Sequence, residues 1–262
     1  MSESVLYNKT AVITGAASGI GFATAEEFLK SGVSKVLLLD IAADLSPTQY
    51  AQLKTCNPKA DVSYRQCDVT NKQLVEKIFR QDAMKLLGSI DILVNSAGIF
   101  ECEPAKCVGI NLIGLMDCTL IAMDLMTKEK NGKGGFIVNI SSIGGLEPYP
   151  VAAVYTGTKF GVTGFTRALG TELVYNKTGI KLAAICPSAT KTNIRIAAGR
   201  RSSTFPWMKE AAEELIKKYP VQQASAVGKC IVKVIAEGET GSAWYSAVDT
   251  ITQVKFEPNK YV

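Results

Sequence analysis

Apolar residues recur along this chain in two alternating rhythms. Short β-rich runs, "KTAVITG", "KVLLLD", "DVSYRQCDV", "DILVNSAG", "GFIVNISS", "IKLAAICPS" and "GSAWYSAV", are separated by longer segments. Five of those segments, "GIGFATAEEFLKSG", "TNKQLVEKIFRQDAMKLLG", "NLIGLMDCTLIAMDLMTKEK", "YTGTKFGVTGFTRALGTELVYN" and "QQASAVGKCIVKVIAEG", are long enough for several helical turns. Strands alternating with helices predict a parallel sheet covered on both faces. Runs such as "VLLL" and "DILV", apolar at consecutive positions, belong in strands buried from both sides. The expectation is one doubly wound α/β domain over residues 1–262, with a seven-stranded parallel sheet. The long irregular stretch at about 190–219 is the place for a substrate lid.

Composition narrows the function classes. The 29 basic and 24 acidic side chains are spread along the chain, so the net charge of +5 offers no nucleic-acid groove. No apolar run is seen to approach the roughly 18 to 20 residues that span a bilayer, and "MSESVLYNKTAVITG" enters a strand without a signal-peptide core. No membrane span and a cytoplasmic location are expected. The seven cysteines contain no C-x-x-C pair and are expected to be reduced and mostly buried. The chain has no histidine, which removes the commonest zinc ligand sets and every Ser-His-Asp or Cys-His arrangement. No metal site is expected.

The first strand runs into "TGAASGIG", where Gly15, Gly19 and Gly21 allow a tight turn before a helix beginning near Ile20. Free N–H groups and the positive end of a helix dipole would hold a pyrophosphate there, as in a Rossmann domain. Asp40 ends the second strand, 19 residues after Gly21, where a carboxylate accepts from a ribose hydroxyl and repels a 2′-phosphate. No Lys or Arg occupies positions 15 to 18 or 41. NAD rather than NADP is the expected cofactor. Further on, "VYTGTKFGV" sets Tyr155 one helical turn before Lys159. In a chain without histidine, a phenol beside a cation, its pKa lowered by that charge, is the candidate proton carrier.

With these motifs together, the chain resembles the short-chain dehydrogenase/reductase family over nearly all its length, and most closely the branch of insect-type alcohol dehydrogenases and 15-hydroxyprostaglandin dehydrogenases. The resemblance makes "TGAASGIG" the cofactor turn, with Ser18 and Ile20 joining its glycines. Asp68 and Val69 become an adenine-contacting pair, and Asn95, Ala97 and Gly98 of "NSAG" the fourth-strand motif. Pro187, Thr190 and Thr192 of "CPSATKT" fall beside the nicotinamide. Ser142, Tyr155 and Lys159 fall on the catalytic serine, tyrosine and lysine, and Asn111 of "INLIG" on the catalytic asparagine, which implies that it holds a water. Tyr155 and Lys159 also count as cofactor contacts.

Two departures stand out. Many relatives carry Asn-Asn-Ala-Gly where this chain has Ser96, and Pro-Gly where it has Pro187-Ser188. A glycine adopts backbone geometries closed to serine, so the nicotinamide-side loop is open to question. The prostaglandin enzymes place a glutamine three residues before the tyrosine, where Ala152 stands here. With Val151, Ala153 and Val154, that wall reads as apolar and favours a lipophilic primary or secondary alcohol. The alternatives are a hydroxy fatty acid met by Arg195, Arg200 or Arg201, a 15-hydroxyprostaglandin-type substrate, and a catalytically impaired NAD- or lipid-binding storage protein. Phe205 and Trp207 are candidates to close over a substrate. The resemblance also implies a homodimer or tetramer through helices around 115–126 and 160–173, with Ala122 and Phe165 as contacts. The tail "VKFEPNKYV" is expected to pack near the lid.

Overall fold

Seven strands run in one direction through the centre of the molecule: β1 (Thr10–Thr14), β2 (Lys35–Asp40), β3 (Asp61–Gln66), β4 (Ile92–Asn95), β5 (Gly135–Ile140), β6 (Ile180–Pro187) and, after the short pair β7 (Thr190–Lys191) and β8 (Gln222–Gln223), β9 (Ser242–Ala247). The computed structural model describes residues 4–100, 103–194, 205–208, 210, 214, 221–248 and 250–257. The spatial order β3-β2-β1-β4-β5-β6-β9 reverses the direction of winding between β1 and β4, the position where doubly wound sheets open a crevice at their carboxyl edge. An eighth strand, β10 (Thr250–Gln253), adds antiparallel to β9 and enlarges the expected seven-stranded sheet. Of its residues only Ile251 is partly buried, so the strand leaves no apolar run to read.

The continuous apolar strands are explained residue by residue. Ala11, Ile13, Val36, Leu38, Ile92 and Val94 enter one core cluster, while Val12, Leu37, Leu39 and Leu93 between them enter another. On the first side lie α1 (Gly19–Lys30), α2 (Pro47–Cys56) and, late in the chain, α7 (Ala224–Glu237), which bring Phe28, Leu53 and Ile231. On the second lie α3 (72–87) and α4 (Pro104–Met126), which bring Phe79, Ile121 and Met126. The sheet's second side also receives α5 (Ala153–Leu169), followed by the short α6 (Glu172–Thr178). The single long helix expected over 155–176 is two: the first stops before Gly170, and Thr171, extended at φ −84° and ψ 156°, caps the second by accepting from Val174 N–H. Helix α2 was not anticipated, since it buries only Leu53. Its signal was the Ser46–Gln49 capping box with proline at the first helical turn.

Two expectations change here. Helix α4 is long and apolar enough to cross a membrane, with mean hydropathy 1.6, contrary to the reading that no run approaches that length. It nevertheless buries Cys118, Ile121 and Ala122 against the sheet, and its Asp117 and Asp124 pair with Lys72 and Arg80. Ala122 is fully buried inside the subunit and so is no surface contact, and Phe165 is half-buried; the outward apolar residues of these segments include Ile113, Leu120, Phe160 and Leu173. The tail, as far as residue 257, lies over the far end of α5, where the Arg167 guanidinium sits 3.5 Å from the Phe256 ring centroid. Residues 258–262 and most of the stretch at 190–219 lie outside the described residues.

Candidate active site

The carboxyl ends of β1, β2, β4, β5 and β6 surround a cavity of about 520 Å³. Its floor at β1 is the glycine turn, where Gly15 and Gly19 have φ of +65° and +55°. Both lie in the left-handed region that glycine occupies without a Cβ penalty. Contact is equally decisive: a Cβ on Gly15 would lie 2.7 Å from the Ala97 Cα, and one on Gly21 would lie 2.2 Å from the Gly15 carbonyl oxygen. Ser18 precedes α1 in an extended conformation without capping it, and the first turn carries no acidic side chain. The helix N-terminus therefore offers N–H donors and dipole to an anion in the cavity, to which Gly15, Ser18, Gly19 and Ile20 contribute surface. Gly21 does not line it; its role is to let α1 close on the turn.

Asp40 also lines the cavity, with each carboxylate oxygen anchored by the backbone: Ala17 N–H donates to Oδ2 at 2.9 Å and Ala42 N–H to Oδ1 at 3.1 Å. Lone pairs remain on both oxygens for ribose hydroxyls. The next residue, Ile41, is exposed and uncharged. Asp68 and Val69 form the adjoining wall, Asp68 held by the Thr70 N–H and hydroxyl, Val69 packed on Gly114. This cradle fits a dinucleotide without a 2′-phosphate.

The "NSAG" motif divides. Ser96, Ala97 and Gly98 line the cavity, and the Ser96 and Ala97 N–H groups donate to Thr14 Oγ1. Asn95 does not reach the cofactor cradle. It is 2 % exposed, and its Nδ2 donates to Thr119 Oγ1 and Asn139 Oδ1 beneath the sheet. A strand-end asparagine points to one face only, and here that face is the interior. Asn111 likewise is buried, in the π-helical turn Gly109–Gly114 of α4. It accepts from Ile99 N–H at 2.8 Å and donates to Ile99 O at 2.9 Å, with Thr158 Oγ1 at 3.3 Å and Cys107 Sγ at 3.4 Å also in reach. Its side chain thus clamps the Gly98–Phe100 turn.

Ser142, Tyr155 and Lys159 do converge on the cavity. Ser142 follows β5, accepts from Gly144 N–H and hydrogen-bonds the Tyr155 phenol. Lys159 is 5 % exposed; its Nζ donates to Ile140 O at 2.9 Å and lies 5.6 Å from the Tyr155 ring centroid. Burial brings the Lys159 ammonium down to about 8. Burial also pushes the Tyr155 phenol up to about 12, with the Ser142 hydrogen bond pulling the other way. The expected lowering of Tyr155 by Lys159 does not govern the free protein: burial, which disfavours the phenolate, dominates, and the group that lowers it is the Ser142 hydroxyl.

Ser188 removes the doubt raised by its departure from glycine. Its φ is not positive, and its N–H donates to Ser246 O at 2.7 Å. Pro187, Thr190 and Thr192 line the cavity beside it, and Thr192 faces the glycine turn, its Cγ2 3.1 Å from where a Gly19 Cβ would stand. The apolar wall exists, but other residues build it. Val151 and Ala152 are buried away from the cavity, whereas Phe100, Ile143, Tyr149 and Ile194 line it, with the Phe100 ring tilted by 39° against the Tyr155 ring at 4.7 Å between centroids. No local pattern marks these positions in the sequence. Phe205 and Trp207 stack on each other, exposed and outside the cavity, and Arg195, Arg200 and Arg201 lie outside the described residues. Among the described residues no cluster of side chains could hold a metal ion.

This geometry agrees with the chain's relatives. A family model described as short chain dehydrogenase matches residues 9–202. Alcohol dehydrogenase 2 of Ceratitis cosyra is 34 % identical over 250 residues, covering 95 % of each chain. The 15-hydroxyprostaglandin dehydrogenase [NAD(+)] of Homo sapiens is 32 % identical over 90 % of this chain and 89 % of its own. Among solved structures, levodione reductase superimposes with a TM-score of 0.75 at 27 % identity, covering 88 % of this chain and 91 % of the other.

Proposed function

The chain belongs to the short-chain dehydrogenase family, and from that premise we propose that it is an NAD-dependent alcohol dehydrogenase oxidising a lipophilic primary or secondary alcohol to the carbonyl. The observation that carries this reading is the meeting of Ser142, Tyr155 and Lys159 at one end of a cavity whose other end is the glycine turn and Asp40. The α1 N-terminus and Asp40 would hold NAD, which would supply the hydride acceptor. Ser142 donates to the substrate oxygen as charge develops on it. Tyr155 takes the hydroxyl proton as general base. Lys159, charged below its pKa of about 8, favours the phenolate over the phenol and binds the nicotinamide ribose. Asn111 fixes the Gly98–Phe100 turn, so that Phe100 and Tyr155 form one side of an apolar substrate pocket.

The single test is incubation with NAD or NADP and a panel of alcohols graded in chain length, followed by NADH formation. Turnover rising with apolar chain length, and only with NAD, is expected; no turnover with any alcohol refutes the reading. Exchanging Asp40→Ala together with Ile41→Arg then moves the preference toward NADP. A homodimer, or a tetramer of dimers, is part of the same proposal: Ile113, Leu120 and Phe160 leave an apolar face on α4 and α5.

A further inference from the structure

Gln222 belongs to none of the motifs above, yet it is 1 % exposed and ties together three stretches of chain beside the cavity. Its Nε2 donates to Ser246 O of β9 at 2.7 Å, with Thr190 Oγ1 at 3.3 Å and Ser188 Oγ at 3.4 Å also in reach. Its Oε1 accepts from Ser246 Oγ at 3.3 Å, and its backbone N–H donates to Ala189 O at 2.9 Å. Ser188 N–H and Thr190 Oγ1 complete the cluster, bonded to Ser246 O and Ser188 O. A buried amide costs free energy unless its polar atoms are satisfied, so this glutamine keeps its place only while the loop keeps its shape. The loop concerned, 188–192, lines the cavity, and Thr192 faces the glycine turn, its Cγ2 3.1 Å from where a Gly19 Cβ would stand.

We propose that Gln222 is a positioning residue of this dehydrogenase: by clasping Ser188, Thr190 and Ser246 it sets the distance between the 188–192 loop and the glycine turn, and with it the affinity for the dinucleotide. The serine that replaces the family's glycine is part of the clasp, since its hydroxyl lies within reach of the Gln222 amide. The inference rests on the dinucleotide reading of the cavity, and the two fail differently. Failure of the unaltered protein to bind NADH in calorimetry overturns both; normal binding by the altered protein overturns this inference alone.

The experiment measures NADH affinity by calorimetry, amide hydrogen exchange of residues 188–192 in the cofactor-free protein, and thermal stability. Gln222→Leu, of similar volume, weakens NADH binding by about tenfold and speeds exchange in the loop. Ser246→Ala removes one bond of the clasp and moves both readouts the same way by less. Val234→Ala, on the buried face of α7, lowers the melting temperature and leaves NADH affinity and loop exchange unchanged. If Gln222→Leu lowers only the melting temperature, as Val234→Ala does, the glutamine is structural and the proposal is wrong. Should Gln222→Leu fail to fold, Ser246→Ala decides: unchanged affinity and exchange overturn the proposal.

Discussion

The two sides of the central sheet differ at one helix: α3 and α4 bring apolar side chains to the second side as α1 and α7 do to the first, and the contrast lies in α5. Against one, α1 and α7 press Phe28, Leu29, Val227, Ile231 and Val234, all essentially solvent-free and all apolar. Against the other, α5 turns Thr158, Lys159, Thr163 and Thr166 inward, with Val162 as its one buried aliphatic residue. There the burial is made tolerable bond by bond. Asn139 Nδ2 donates to Thr166 Oγ1, Ser141 Oγ bonds Thr163 and Lys159 O, and Thr119 joins Asn95 to Asn139. Only Asn95 Oδ1 is left without a partner among the buried side-chain polar atoms described. The apolar side is stabilised by area and tolerates imprecision; the polar side must be exact in direction, because each unmade bond costs its full desolvation. The reactive groups sit on the second side, where α5 carries both Tyr155 and Lys159 and direction is already controlled.

Substitutions can break this contrast, beginning with the largest expected effect. Tyr155→Phe removes the proposed proton carrier on the polar side and is expected to lower turnover by about a thousandfold, while NADH affinity and stability hold. A variant that kept most of its rate would show that another group moves the proton. On the apolar side, Phe28→Ala costs about 3 to 5 kcal/mol in urea unfolding, with turnover per folded molecule unchanged. A loss of turnover in the folded fraction would mean that the two sides are coupled.

Thr166→Val tests the polar side without touching the cavity. It strands Asn139 Nδ2 in the interior, for about 1 to 3 kcal/mol, despite adding apolar surface. A stability gain would place this helix in the same class as α1 and α7. The smallest effect is a change of slope. Lys159 is held at about 8 in the folded protein against an ordinary 10.5, so between those pH values the unfolded chain binds the extra proton. Lys159 thus makes stability rise with pH through that window, and has no effect on the slope well below it. The difference in unfolding free energy between the parent and Lys159→Met should therefore move in the parent's favour from pH 8 to 10.5. Tyr155, pushed up to about 12 from 10, acts oppositely and only above pH 10, where the unfolded phenol ionises first. A flat difference curve would mean that Lys159 is solvated in the folded state.

What was legible in the chain follows from periodicity and local conformation. Strands buried on both faces need consecutive apolar residues, and a turn with φ of +65° and +55° needs glycine, so the parallel sheet, the cofactor turn and Asp40 could be read directly. The i,i+4 pair of Tyr155 and Lys159 was legible for the same reason, since one helical turn brings the two to one face. Tertiary structure decided what depends on residues far apart in sequence. It took Asn95 and Asn111 out of the cavity, because Thr119, Asn139, Ile99 and Thr158 offer partners that no local pattern announces. It replaced Val151 and Ala152 with Phe100, Ile143, Tyr149 and Ile194 as the apolar wall, and it joined Gln222 to Ser188 across 34 residues of chain. It also set the balance at Tyr155, because desolvation is a property of everything packed around a group and no local pattern announces it.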